Sequence, residues 1–159
     1  MRKLSLLLVL CMLLLPSAAW ARDVAVLDLP ALADLIQKNR GKVILLNFFA
    51  TWCPPCRMEI PHLIKVQQKF GDKEVLVVSL SVDEKPAAVP PFVSKMGMDY
   101  PVYLADRSVP AAFRVSTIPH NIIYDRDGKL VASQSGILEE DSLVDVISQL
   151  LGKQARAGE

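Results

Sequence analysis

A chain of 159 residues with 52% hydrophobic content is long enough for one domain with its own core and too apolar for an extended disordered region. Its 18 basic and 17 acidic residues leave a net charge of +1 and are mixed in sign, with no basic stripe, so a nucleic-acid surface is excluded.

The first 21 residues read as an export signal. Arg2 and Lys3 supply the positive start, residues 4–15 are almost wholly apolar, Pro16 and Ser17 break the run, and Ala19-Trp20-Ala21 offers a small-x-small cleavage site. Cleavage there starts the mature chain at Arg22, with 16 basic against 17 acidic residues. The competing reading is an uncleaved anchor, since residues 4–20 just reach across a thin bilayer. A lipoprotein fits less well, because the bulky Leu10 precedes Cys11.

A single domain is expected over residues 22–152. Residues 24–27 form a short apolar run. Residues 31–38 suit a helix with Leu32, Leu35 and Ile36 on one face, ended by Asn39-Arg40-Gly41. Residues 43–50 are a continuous apolar run rich in β-branched and aromatic side chains, the pattern of a strand covered on both faces. A helix is predicted over 55–70, with Ile60, Leu63, Ile64 and Phe70 inward and a kink at Pro61, which has no N–H for the carbonyl of Arg57. Residues 74–82 give the next buried strand, 89–96 a short helix, 100–105 a strand or extended loop, and 109–113 a helical turn. Strands at 122–124 and 130–133 flank Asp125-Arg126-Asp127-Gly128, a hairpin signal. The last helix carries Leu143, Val146, Ile147, Leu150 and Leu151 on one face; Glu139, Glu140 and Asp141 favour its start, Gly152 is expected to end it, and residues 153–159 to trail loosely. Parallel crossovers followed by a hairpin and a final helix imply an α/β fold: one central mixed sheet with helices on both faces.

Three cysteines are present, and Cys11 falls in the signal, which leaves Cys53 and Cys56 in a C-x-x-C spacing. Closing so short a loop stabilises a fold little, so a structural disulfide explains the pair poorly. The pair follows a buried strand and opens a helix, where free backbone N–H groups and the helix dipole favour an anion. A thiolate at Cys53 is stabilised there as the nucleophile, and Cys56, one turn on, is placed to resolve a mixed disulfide. Pro54 and Pro55 fit a first helical turn but remove two N–H donors, which argues against a strong oxidant. Glu59 stands one turn beyond Cys56, placed to exchange a proton with a cysteine if its carboxyl is partly buried. The alternative to redox chemistry is metal binding, with His62 and His120 completing a zinc set, or Cys53, Cys56 and His120 holding copper.

The stretch Asn47-Phe48-Phe49-Ala50-Thr51-Trp52-Cys53-Pro54-Pro55-Cys56-Arg57-Met58-Glu59-Ile60-Pro61 resembles the site signature of the TlpA/ResA-like thiol–disulfide oxidoreductases, a branch of the thioredoxin superfamily. Val115-Ser116-Thr117-Ile118-Pro119, followed by Ile122-Ile123-Tyr124-Asp125-Arg126-Asp127-Gly128-Lys129-Leu130-Val131, resembles that family's cis-proline strand and hairpin. The resemblance implies a thioredoxin-like fold and a reaction that uses only the cysteine pair, with no other cofactor. It implies a cis-proline at Pro119 against the disulfide, substrate contact through the backbone of Ile118, and Trp52, Pro54 and Pro55 beside the site. Glu59 matches the branch's acidic residue, whereas Asn47 replaces the buried acid of thioredoxin and is no base. His120 departs from the usual threonine and is open to thiolate tuning, substrate contact, metal binding or a plain surface role. The β–α start at residues 24–38 is closer to thioredoxin itself than to the branch's hairpin. The implied activity is reduction of exported protein disulfides, apocytochrome c among them, by a monomer that a membrane electron donor re-reduces. A disulfide oxidase or isomerase, a copper chaperone and a redox-inactive binding module are the rival readings.

Overall fold

The computed structural model describes residues 24–157, so the export signal and its cleavage site lie outside the described residues. The elements run β1 (Val26–Leu27), α1 (Leu29–Lys38), β2 (Val43–Phe49), α2 (Pro54–Phe70), β3 (Val75–Ser81), a 3-10 turn (Pro86–Ala88), α3 (Val89–Met96), β4 (Val102–Ala105), α4 (Ser108–Ala112), β5 (His120–Tyr124), β6 (Leu130–Ser135) and α5 (Glu140–Ala157). The sheet order is β1-β4-β3-β2-β5-β6. β1, β4, β3 and β2 pair in parallel, β5 runs antiparallel to β2, and β6 antiparallel to β5. This is the mixed sheet that the alternation of elements predicts.

The apolar run of β2 sits at the centre with every residue buried. Its side chains alternate: Val43, Leu45 and Phe49 join one core with Ile60, Leu63, Phe92, Leu143 and Ile147, from α2, α3 and α5. Ile44, Leu46 and Phe48 join a second core with Leu32 and Val109, from α1 and α4. Each fully buried Leu, Ile or Phe contributes roughly 1.5–3 kcal/mol, so these two layers set the sheet between its helices.

Several boundaries differ from the expectation. α1 begins at Leu29, because the Asp28 carboxylate accepts the Ala31 N–H at 2.9 Å and Pro30 is compatible with a first turn. α2 spans Pro54–Phe70 with Pro61 inside it, close to the helix predicted over 55–70. α5 does not stop at Gly152 but continues to Ala157; Gly152 keeps a negative φ, and a glycine inside a helix costs only about 1 kcal/mol. On α5, Val146 turns to solvent, and Val144 packs against the core instead. The β5–β6 turn follows the expected chemistry: Gly128 has φ +75° and donates to the Asp125 carbonyl at 3.0 Å, a conformation that disfavours any side chain.

Candidate active site

β2 ends at Phe49, and a short loop carries the chain to the N-terminus of α2, where Cys53 is the capping residue. Cys53 and Cys56 are joined as a disulfide with their Cα atoms 5.3 Å apart. Pro54 and Pro55 occupy the first two helical positions and have no N–H, so the first free amide of the helix is that of Cys56. It donates to Cys53 Sγ at 3.2 Å. The helix N-terminus is therefore aimed at this sulfur through one amide.

Both cysteine residues are buried in the disulfide form. Cys53 is 3% exposed and Cys56 1%. The cover comes from the segment before β5: the Ile118 carbonyl lies 3.9 Å from Cys53 Sγ, the Ile118–Pro119 peptide is cis, and Pro119 is buried. Around this pair the rim is apolar and open, with Pro54 and Pro55 exposed and Trp52 and Met58 each 65% exposed. Trp52 is thus no core residue. Met58 escaped the sequence reading; its signal was an apolar side chain off the buried stripe of α2.

Glu59 is fully buried, one turn beyond Cys56. Its Oε1 accepts the Asn121 Nδ2–H and the Leu138 N–H, each at 2.7 Å, and its Oε2 accepts the Asn47 Nδ2–H at 2.7 Å. Burial pushes this carboxyl above the ordinary carboxylate range; the three N–H donors and the nearby His62 pull it back without cancelling the effect. The donors come from a polar row across the sheet. Asn47 of β2 is in register with Ser79 of β3 and with Asn121 of β5. Asn47 Nδ2 also donates to Asn121 Oδ1 at 2.9 Å, and Asn47 Oδ1 accepts the Ser79 hydroxyl at 3.3 Å. Tyr100 closes the row, its phenol 3.4 Å from Ser79 Oγ and raised in pKa by burial. Asn121, Ser79, Tyr100 and the Leu138 amide were not anticipated. The legible signal was one polar residue inside each apolar strand.

The contacts that His120 makes run to Phe48 and to β6 and not to the cysteines. It pairs in register with Phe48, whose side chain faces the second core, and its ring meets Phe48 edge-on at 6.3 Å. Nδ1 lies 2.9 Å from Ser135 Oγ and Nε2 2.9 Å from Ser133 Oγ, so both nitrogens are engaged on β6. At 7% exposure it is no surface histidine either, and burial lowers its pKa. Among the described residues no cluster of three or more His, Cys, Asp or Glu side chains is arranged for a metal. His62 instead places Nδ1 3.0 Å from the Leu138 carbonyl, beside α5. His120→Asn is expected to leave the alkylation rate of reduced Cys53 within about twofold, because the ring packs on Phe48 and is held by Ser133 and Ser135 rather than by either sulfur. A change of tenfold would restore His120 to the redox site.

Comparison with known proteins agrees with this geometry. A family model described as Redoxin matches residues 20–148. The thiol-disulfide oxidoreductase ResA of Bacillus thuringiensis (strain Al Hakam) is 29% identical over 131 residues, covering 82% of this chain and 76% of that protein. ResA of Bacillus subtilis (strain 168) is 34% identical over 110 residues, 69% of this chain and 62% of that one. A crystal structure of a thioredoxin-family thiol:disulfide interchange protein from Chlorobium tepidum TLS superposes with a TM-score of 0.68 at 29% identity, covering 72% of this chain and 83% of that one. Strand order, the cysteine pair at the head of α2 and these likenesses together make the chain a member of the Redoxin family, a thiol–disulfide oxidoreductase on the thioredoxin fold.

Proposed function

We propose that this protein reduces disulfides of exported proteins outside the cytoplasm. The observation that carries the reading is a helix-capping cysteine with one amide on its sulfur, set one turn from a second cysteine and two turns from a buried carboxyl. In the dithiol form, the Cys53 thiolate attacks a substrate disulfide, forms a mixed disulfide and expels one substrate thiolate. Glu59 then takes the proton of Cys56, whose thiolate attacks Cys53 Sγ and releases the second substrate thiolate. The electron pair ends on the substrate and the Cys53–Cys56 disulfide remains, so no other cofactor is required. A membrane-held dithiol donor fits the step that restores the reduced form.

The reductive direction is supported by how few donors hold the thiolate. A cysteine couple becomes oxidising when its reduced, thiolate form is strongly stabilised. Here the two prolines leave a single amide for Cys53. That supports a reductant over an oxidase or isomerase. Trp52, Pro54, Pro55 and Met58 offer apolar contact to an unfolded segment, and the backbone of Ile118 offers hydrogen bonds to an extended one. The reading extends to apocytochrome c, whose paired thiols must be reduced before haem attachment.

Cys56→Ser tests it. With no second thiol to resolve it, the mixed disulfide on Cys53 is expected to persist, and the captured partners to be exported proteins with paired cysteines. A variant that accumulates no adduct in its native compartment would remove the assignment of roles.

A further inference from the structure

We propose that Asp83 is a positioning residue for the redox loop, acting through Thr51 to hold Cys53 beneath the amide that caps its sulfur. The proposal rests on Cys53 being the attacking thiolate. Thr51 stands two residues before Cys53 and is held from both sides. Asp83 Oδ2 accepts the Thr51 N–H at 2.9 Å, and Asp83 Oδ1 accepts the Thr51 hydroxyl at 2.6 Å. The carboxylate is itself fixed to the end of β3: Ser81 Oγ donates to Oδ2 at 2.7 Å, and the Asp83 N–H donates back to Ser81 Oγ at 3.1 Å.

From the other side, Arg57 of α2 donates through Nε, at 2.9 Å, and through Nη2 to the Thr51 carbonyl. Its guanidinium lies over the Phe92 ring, 5.7 Å from the centroid, and Phe92 stacks on Phe49 at the end of β2. Every polar group of Thr51 is therefore engaged, in a chain that runs from β3 through the loop to the first turn of α2. The Cys53 N–H closes the intervening turn on the Ala50 carbonyl at 3.1 Å.

Such a clamp matters here because the capping of Cys53 is thin. Hydrogen bonds weaken steeply with distance and angle, and this sulfur has one amide donor where other helix starts offer several. Hydrogen bonds to a carboxylate are roughly twice as strong as neutral ones, which suits Asp83 to holding the loop. Asp83 has two consequences for Cys53, of opposite sign. Its negative charge disfavours a nearby thiolate, while its grip on Thr51 favours one by keeping sulfur and amide aligned. The second dominates on this geometry, since the carboxylate is already shared among three donors.

The test is the pH dependence of iodoacetamide alkylation of Cys53 in the reduced full chain, in a Cys56→Ser background, with Cys11 resolved by peptide mass spectrometry. Asp83→Ala and Thr51→Val are each expected to slow alkylation at neutral pH about fivefold, the factor that one net hydrogen bond is worth, and to move the half-reaction pH upward. Thr51→Ser should restore most of the rate, and the Asp83→Ala/Thr51→Val double variant should be no slower than Asp83→Ala. Faster alkylation in Asp83→Ala would mean that charge dominates, and an unchanged Thr51→Val or multiplying effects would mean that no clamp exists; each overturns the proposal. Should Asp83→Ala not fold, Thr51→Val against Thr51→Ser decides alone. If unsubstituted Cys53 reacts no faster than free cysteine, the functional reading falls and the clamp with it. A reactive Cys53 with indifferent loop variants removes only the clamp.

Discussion

Cys53→Ser will lower disulfide turnover by on the order of 10³-fold or more, the scale on which loss of a nucleophile acts. The two cysteines are not equivalent in this site. Cys53 caps α2, and its sulfur is the one that receives the Cys56 N–H at 3.2 Å. It is also the less covered of the two, at 3% against 1%. A thiolate is therefore stabilised at Cys53, at the positive end of the helix, which makes it the first attacker. A serine hydroxyl at that position stays protonated near neutrality and cannot enter thiol–disulfide exchange. Cys56 is then left in the first turn of the helix with no capping amide of its own. Insulin reduction coupled to dithiothreitol reads turnover, and mixed-disulfide stoichiometry reads the first attack. Turnover in Cys53→Ser close to that of the unsubstituted protein would reverse the two roles.

How far the sequence revealed this site depends on which contacts are local. The cysteine pair, the helix that it opens and the spacing of Glu59 from Cys56 all lie within one segment, and helical periodicity reaches them. The burial of β2 was legible from its unbroken apolar run. The environment of Glu59 was not, because its three donors come from Asn47, Asn121 and Leu138, which only strand register and the approach of α5 bring together. Alternation along β5 gives its two faces but not which one meets α2. The antiparallel register, Asn47 opposite Asn121 and Phe48 opposite His120, is what sends the asparagine to the carboxyl and the histidine to the other layer. The role of His120 was open in the sequence because adjacency to Pro119 does not show which face of the sheet the ring takes. The late end of α5 has a simpler cause: a glycine after an apolar stripe signals a stop only when it adopts a positive φ, and Gly152 does not.

Glu59→Gln should slow the release of substrate from Cys53 by roughly 10²-fold at neutral pH, the lower end of what a positioned general base supplies. The loss should shrink as pH rises, because hydroxide then competes with the carboxylate for the Cys56 proton. The same variant reports the state of the carboxyl through stability. Because burial holds the folded-state pKa of Glu59 above its unfolded value, this group contributes stability that is fully present below about pH 4 and is lost as pH rises through the folded value. Gln does not titrate, so the gap in urea midpoint between the native chain and Glu59→Gln should narrow as pH rises through that window. Glu59→Ala is the harsher change. It leaves the Asn47, Asn121 and Leu138 N–H groups without their buried acceptor, and orphaning them costs about 3–5 kcal/mol, which outweighs the relief of no longer burying a carboxylate. The sign of the pH trend separates the two ways of reading those three donors. If they locked the carboxylate in its charged form, its pKa would lie below the unfolded value, the gap would widen with rising pH, and Glu59 would be a weaker base toward the Cys56 proton than an ordinary carboxylate. A narrowing gap together with the slowed release identifies a carboxyl poised to change charge, as exchange through a fully buried Cys56 requires.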